Sequence, residues 1–465
     1  MSNRAFIVTG LGFGDEGKGT VTHSLACEHK AHTVIRTGGA QALHRVVTKR
    51  GQSHVFSQFG SGTFRGSATH LSKHMVIDPN AILVEGEALR YESGIRGIFE
   101  MMTIHEDALV ISPFQALAGR VRELLRGKSR LGSVGIGIGE TVLDAEALKD
   151  SALRAKDLGS RKLREKLEVI RAHKWAEFEA FADRASKLPK ESEVLIRQQL
   201  AMMANPDTLQ WALEKFSELG RRVRIVDSSY VAERILGQEG TVVFEGSQGV
   251  LLDRWQGFHP FTTKVRTTPE PALNILRESG YRGETKSLGV LRAYHTRHGG
   301  GPFISESPEL TAELPDAANK THAWQGDFRV GHFDMVAARY AIDACKDMLD
   351  GIVLTCLDRL RPRGFMQMCT GYELARIMRV PECHFSFEEG TIARIKAHPE
   401  GSGPVHLKRQ ERITRVLEGC SPRLRTLSLY EKDSETKLKG VLEESLALPL
   451  VGLSKGETEA DKFYM

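Results

Sequence analysis

The chain has 465 residues, 41% hydrophobic and 26% charged, with 64 Lys and Arg against 59 Asp and Glu. That length suits one large α/β domain or two to three units of roughly 100–200 residues, with ample apolar material for a core. The surplus of +5 is spread along the chain. It lacks the clustered basic face of a nucleic-acid binder but is compatible with small anionic substrates such as nucleotides.

The six cysteines, Cys27, Cys345, Cys356, Cys369, Cys383 and Cys420, form no CxxC pair and read as reduced thiols. Met1 to Gly10 lacks the zones of a signal peptide, and no stretch approaches the ~18 apolar residues of a membrane span. The expectation is a cytoplasmic protein with neither a membrane nor a nucleic-acid partner.

In chain order, Ala5–Gly10 (AFIVTG) is an apolar, β-branched run ending in glycine and predicts a buried strand. Residues 32–36 and 108–112 predict further strands, with a helix over Ala81–Met102 between them. Residues 162–222, rich in Glu, Lys, Arg, Ala and Leu at helical spacing and broken by Pro189 and Pro206, predict an insertion of two or three helices. Strands follow at 223–227, 241–245 and 351–355, with a helix over Val336–Met348. Strands alternating with helices imply an α/β fold, a mostly parallel central sheet with helices on both faces. The mixed residues from about 362 to 465 predict a small C-terminal lobe. No Pro/Gly/Ser linker divides the chain, so 1–465 reads as one domain.

The first strand runs into Gly12-Phe13-Gly14-Asp15-Glu16-Gly17-Lys18-Gly19-Thr20, and a helical segment follows. Glycines let backbone N–H groups approach an anion, the helix start adds the positive end of its dipole, and Lys18 can neutralise a β- or γ-phosphate. The P-loop template fits from Gly12 to Lys18 and then fails, because Gly19 stands where Ser or Thr should be. Asp15, inside the loop, can hold Mg²⁺ or take a proton from the group that attacks the γ-phosphate.

Gly14 to Gly19 resembles the signature of the adenylosuccinate synthetase family, and the resemblance recurs in family order. Ile35 to His44 is similar to the family's Arg-x-x-Gly-Gly-x-Asn-Ala-Gly-His, with Gln41 for Asn and Leu43 for Gly. A lone histidine is more often structural; the matching neighbours imply that His44 is the catalytic acid and that the Leu43 carbonyl reaches the metal. Glu245 to Asp253 resembles Glu-Gly-Ala-Gln-Gly-x-x-Leu-Asp and implies that Gln248 contacts the nucleotide. Gly257 to Thr263 resembles the segment whose threonine binds the nucleotide phosphate, implying Thr263. Gly289 to Phe303 resembles Gly-x-x-Lys-Ala-Tyr-x-Thr-Arg-x-Gly-x-Gly-Pro-Phe and brings Arg297 to the nucleotide site. Leu354 to Asp358 resembles Leu-Thr-Lys-Leu-Asp, where Asp358 would accept from the guanine N1 and N2 donors and Cys356 replaces a lysine. Leu453 to Gly456 is similar to the Ser-Thr-Gly-Pro loop beside the guanine.

Two segments depart. The family's Gly-Thr-Thr-x-Arg-Gly-Ile-Gly-Pro is replaced by Gly132 to Glu140, with Val134 for a phosphate-binding Thr, Ser133 as its stand-in and Ile136 for the Arg. The arginine loop that holds aspartate in the family corresponds to Thr321 to Asp334, where only Arg329, Gly331 and Asp334 align and a single Arg stands for the pair. The second cation would come from Lys320 or Arg297, or the amine would not be aspartate.

The resemblance implies a P-loop-like, GTP-dependent ligase with Mg²⁺ as cofactor, GTP, a purine monophosphate and an amino acid as substrates, and a homodimer. The implied GTP site is Gly14, Asp15, Glu16, Gly17, Lys18, Gly19, Thr20, Thr355, Cys356, Asp358, Ser454 and Gly456. The implied nucleotide site is Gln41, Ser133, Val134, Gln248, Thr263 and Arg297. Asp15, His44, Lys18 and Gln248 carry the chemistry, with metal contacts at Asp15 and Leu43. Two alternatives stay open: a paralogue taking another nucleotide, such as dGMP, or another amine; and a non-catalytic GTP-binding regulator.

Overall fold

The computed structural model describes residues 3–181, 188–316, 319, 324–374 and 380–465. The strands are β1 Arg4–Gly10, β2 Thr33–Gly39, β3 His44–Val47, β4 Ser53–Phe56, β5 Ala68–Ile77, β6 Met102–His105, β7 Leu109–Val110, β8 Arg224–Val226, β9 Thr241–Glu245, β10 Glu284–Arg292, β11 His295–His298, β12 Phe328–Gly331, β13 Phe333–Asp334, β14 Gly351–Thr355, β15 Phe365–Leu374, β16 Phe385–Glu388, β17 Thr391–Ile395, β18 Cys420–Ser428, β19 Leu450–Ser454 and β20 Lys462–Tyr464. Among the described residues the α-helices of six residues or more are α1 Lys18–Glu28, α2 Pro79–Tyr91, α3 Pro113–Arg126, α4 Ile138–Leu148, α5 Lys162–Phe178, α6 Lys190–Ala204, α7 Pro206–Arg222, α8 Glu270–Glu278, α9 Pro308–Glu313, α10 Met335–Cys345, α11 Gly403–Leu417 and α12 Ser434–Leu446.

Eleven strands form the central sheet, in the order β20-β19-β14-β10-β1-β9-β2-β5-β6-β8 with β7 beside β5. Every pairing in it is parallel except β19 with β20. The continuous apolar run of β1 has its reason in this position, because both faces of the strand are covered. Ala5 and Ile7 pack with Ala272, Ile275 and Leu276 of α8. Phe6 and Val8 point the other way, into Val21 and Leu25 of α1. The alternation of β side chains thus feeds two separate cores.

The expected helix over 81–102 is shorter. α2 ends at Tyr91, the chain then turns through Gly94 and Gly97, both at positive φ, and Met102 opens β6. The helix expected over 336–348 starts at Met335 and stops at Cys345, where Lys346 adopts φ 50°. Within 162–222, α5, α6 and α7 lie on the core that also holds α2 and α3. The lobe expected at about 362–465 divides. β13, β15, β16, β17 and β18 form a separate five-stranded sheet, whereas β19 and β20 return to the edge of the central sheet.

Candidate active site

Adjacent parallel strands β14, β10, β1, β9 and β2 end on Thr355, Arg292, Gly10, Glu245 and Gly39. The segments that carry the motifs start from these ends, the usual place for ligands on an open parallel sheet. After β1 the glycine loop winds through left-handed conformations at Gly14 (φ 94°), Asp15 (φ 61°) and Gly17 (φ 91°). Its donors converge on one point. Glu16 Oε1 accepts from Gly12 N at 2.9 Å and Gly14 N at 2.8 Å, and Oε2 accepts from Lys18 Nζ at 2.6 Å. Donors that hold a carboxylate in this way suit a phosphate oxygen equally. From the neighbouring strand ends, Thr355 Oγ1 donates to Glu16 O at 2.5 Å and Arg292 Nη1 to Asp15 O at 3.2 Å.

The departure from the P-loop template has a steric cause. A Cβ on Gly19 would stand 2.6 Å from His44 Cβ and 3.1 Å from Ser61 Oγ. A serine or threonine there would displace the histidine. His44, the first residue of β3, is buried, and its Nδ1 lies 2.6 Å from Glu245 Oε1. The same carboxylate accepts from Ser61 N at 3.0 Å and from Ser61 Oγ, and faces Arg36 Nε at 3.9 Å. Burial opposes ionisation of Glu245, but the charges of His44 and Arg36 and these hydrogen bonds hold it down at about 2. Burial pushes the His44 imidazole below its ordinary value against the pull of Glu245. A neutral ring that donates Nδ1–H to Glu245 has a bare Nε2. To donate to a substrate oxygen from Nε2 the ring must take a second proton, and Glu245 stabilises that imidazolium.

Asp15 stands at the mouth of the loop with its side chain 26% exposed, and Oδ2 lies 3.4 Å from His298 Nε2. Burial opposes its ionisation, yet His298, Arg292 and Lys18 more than offset that and hold the carboxyl below the usual range. The charge of Lys18 also acts on His44, so carboxylate, cation and imidazole share one electrostatic site. Gln248 adopts φ 51°, and both of its amide heteroatoms are buried with no hydrogen-bond partner, as is Gln41 Oε1. Groups of this kind are satisfied by a bound polar ligand. A Cβ on Gly249 would collide with Gly12 O and the Glu16 carboxylate, so the Gln248 turn lies directly on the phosphate loop.

At the segment expected to meet guanine, Cys356 is left-handed at φ 57° and Asp358 is half-buried, its carboxyl raised by burial. Ser454 Oγ donates to Gly456 O at 3.2 Å, and Thr20 Oγ1 donates to Glu457 O at 3.1 Å, which ties the C-terminal loop to α1. Lys462 Nζ donates to Gly456 O and Thr458 O, each at 2.8 Å.

The other expected residues are arranged less directly. Thr263 Oγ1 accepts from Val265 N at 3.5 Å. Ser133 is exposed and accepts from Gly135 N, and Val134 is half-buried. Their loop abuts that of Gly299, since a Cβ on Gly132 would be 3.3 Å from Gly299 Cα. Arg297 is fully buried over Phe13 and donates from Nη1 to Pro302 O at 2.6 Å; burial and Arg329 pull it down to about 9. Arg329 is engaged already, with Nη1 at 2.6 Å from Glu306 Oε2 and Nη2 donating to Gly299 O and Gly301 O. Lys320 and residues 321–323 lie outside the described residues.

Among the described residues no group of three or more His, Cys, Asp or Glu could hold a metal ion. The Asp15 side chain is 26% exposed, and that of Leu43 is 62% exposed, so it does not crowd the backbone carbonyl. One carboxylate and a carbonyl are hard donors that fit Mg²⁺ held mainly by nucleotide phosphates, rather than a cage made by the chain.

A model of the family described as adenylosuccinate synthetase matches residues 7–397. The chain belongs to the adenylosuccinate synthetase family. Members of this family are GTP-dependent ligases that form a C–N bond, and the mostly parallel α/β sheet is in keeping with it. A synthetase of Anaeromyxobacter sp. (strain Fw109-5) is 29% identical over 97% of this chain and 96% of its own length. One of Mycobacterium marinum is 31% identical over 80% of each. Among solved structures, fully ligated adenylosuccinate synthetase from Plasmodium falciparum superposes with a TM-score of 0.72 at 20% identity over 99% of both chains. Cyanophage S-2L succinoaminodeoxyadenylate synthetase bound to dGMP and dATP gives 0.56 at 15% identity, over 100% of this chain and 96% of its own. Both structural likenesses concern the fold.

Three further residues lie in the candidate site without being singled out by the motifs: Glu245, Arg292 and His298. Glu245 carried a signal, because a carboxylate that closes an apolar strand must find a partner. His298 carried none, since its partner Asp15 is far away in the chain.

Proposed function

We propose that the chain uses GTP to phosphorylate the 6-oxygen of IMP and then replaces that oxygen with an amine, giving adenylosuccinate, GDP and phosphate when the amine is aspartate. The observation that carries this reading is the pairing, around Lys18, of a carboxylate at the mouth of a phosphate loop with an imidazole backed by Glu245. Asp15 takes the N1 proton of the oxopurine, and O6 attacks the γ-phosphorus as the β,γ-bridging oxygen leaves with GDP. His44 donates from Nε2 to the oxygen where charge develops, and Lys18 and the loop amides hold the β- and γ-phosphates. Mg²⁺, when bound, neutralises phosphate charge next to Asp15 and Leu43. The amine nitrogen then bonds to C6, inorganic phosphate departs, and the amine proton is released.

Gln41 and Gln248 would satisfy their amides on the purine nucleotide, with Thr263, Ser133 and Val134 near its phosphate. Asp358, with Cys356, Thr355, Ser454 and Gly456, would form the guanine pocket. We read residues 1–465 as one domain, with the helices of 162–222 inserted, working as a homodimer in the cytoplasm. Among the described residues no helix is long and apolar enough to cross a membrane.

One observation favours a second reading of the amine. Arg329 already pairs with Glu306, so a dicarboxylate would have to displace that partner, whereas a different amine would not. The test is direct. Purified protein is given GTP, Mg²⁺, IMP and each amino acid in turn, and GDP and products are followed by mass spectrometry. The proposal expects IMP-dependent GDP release that Asp15→Ala abolishes; release unaffected by the substitution rules the assignment out.

A further inference from the structure

We propose that His298 is a positioning residue for the catalytic carboxylate, holding Asp15 Oδ2 so that Oδ1 is presented to the purine N1–H. The proposal rests on the reading of Asp15 as base and goes beyond it by naming what fixes its side chain. The motif that contains Arg297 and Gly299 leaves the position between them unspecified and so does not account for the histidine there.

The backbone of Asp15 sits in the left-handed region at φ 61°, which is costly for a residue with a side chain unless its surroundings impose it. Two strand ends do so, through Arg292 on the Asp15 carbonyl and Thr355 on the Glu16 carbonyl. These contacts fix the main chain and leave the side-chain torsions free. His298 removes that freedom, with Nε2 at 3.4 Å from Asp15 Oδ2. The imidazole is itself held. Its ring packs on Phe328 with centroids 4.9 Å apart, and Nε2 hydrogen-bonds to Asn319 Oδ1 at 3.2 Å, so the longer contact with Asp15 Oδ2 is an ion-pair contact made from the same ring edge. The ring belongs to β11, which pairs with β12 in a two-stranded ribbon. A carboxylate free to rotate would spend part of its time turned from the base, and proton abstraction depends on placement within fractions of an ångström.

The test separates placement from binding and from folding. His298→Phe keeps an aromatic ring against Phe328 and removes the donor. His298→Gln restores an N–H donor of similar reach. With GTP carrying ¹⁸O in the β,γ-bridge, Mg²⁺ and IMP but no amine, scrambling of the label reports O6 phosphorylation alone. Affinities for IMP and for GTP are measured separately by calorimetry. The proposal expects scrambling to fall about 10- to 100-fold in His298→Phe, the usual loss for a residue that orients a catalytic group. It expects both affinities to stay within about 3-fold, and His298→Gln to recover most of the rate. Scrambling in His298→Phe at the parent rate, or His298→Gln no better than His298→Phe, overturns it. A loss of rate accounted for by weaker IMP binding also overturns it. If the parent protein shows no IMP-dependent scrambling, the functional reading itself falls and takes this proposal with it.

Discussion

Replacement of Glu245 should unbalance a charge cluster that has no access to water. Glu245 and Arg36 are both fully buried. Arg36 Nη1 donates to Phe59 O at 2.9 Å, while Nε and Nη2 have no hydrogen-bond partner, so the carboxylate is the charge that balances the guanidinium. Glu245→Ala leaves a buried cation uncompensated and also strips an acceptor from His44 Nδ1 and from both donors of Ser61. Breaking one side of a buried pair costs about 3–5 kcal/mol, a large part of the roughly 5–15 kcal/mol by which a domain is stable. Arg36→Met alone takes one cation from the carboxylate, which keeps its hydrogen bonds from His44 and Ser61 and so loses less. The double variant Arg36→Met with Glu245→Ala removes both charges, and buried pairs replaced by apolar side chains are often tolerated. Urea unfolding followed by circular dichroism across the four proteins gives a double-mutant cycle. The structure requires the double variant to be at least about 2 kcal/mol more stable than the sum of the single losses implies. Additive losses, or Glu245→Ala within about 1 kcal/mol of the parent, would refute the reasoning.

Gly19→Ala should push His44 aside and cost about 1–3 kcal/mol by overpacking; thermal unfolding and IMP-dependent GDP release would fall together, whereas Gly14→Ala, with nothing within 4 Å of the added methyl, carries only the strain of its positive φ. Asp358→Ala should lower the preference for GTP over ATP by about 10-fold or more, because the guanine donors lose their acceptor; binding titrations with both nucleotides would show it. Asp334, which caps α10 and accepts from Tyr372, is raised by burial from 3.8 to about 6. A folded value above the unfolded one means that the favourable contribution is complete below about pH 4 and is lost as pH rises through about 6. Asp334→Asn should therefore flatten the stability profile between pH 4 and 7 in urea titrations, and an unchanged slope would contradict this.

The sheet was legible because buried parallel strands are short apolar runs with little else in their composition, as in AFIVTG and TVVFE. Helix ends were less so. The stop at Tyr91 depends on two glycines taking positive φ, and helical spacing continues past them. The division of the C-terminal segment was invisible, because Leu450–Ser454 joins β14 across nearly a hundred residues of chain. At the candidate site, local motifs marked the glycine loop, His44 and Gln248. What they could not carry were contacts made between motifs. The clash that demands Gly19, the grip of Glu245 on His44 and that of His298 on Asp15 each join segments from different strand ends. Arg329 matched its motif, yet its engagement with Glu306 is set by the ribbon of β11 and β12 rather than by its own neighbours.

Phosphorylation of the purine 6-oxygen is the step that the proposed reaction cannot do without. IMP labelled with ¹⁸O at C6 can be turned over with GTP, Mg²⁺ and the accepted amine, and the inorganic phosphate analysed by ³¹P NMR for the isotope shift. Transfer of one ¹⁸O into phosphate at each turnover is the predicted result; phosphate released without label would contradict it.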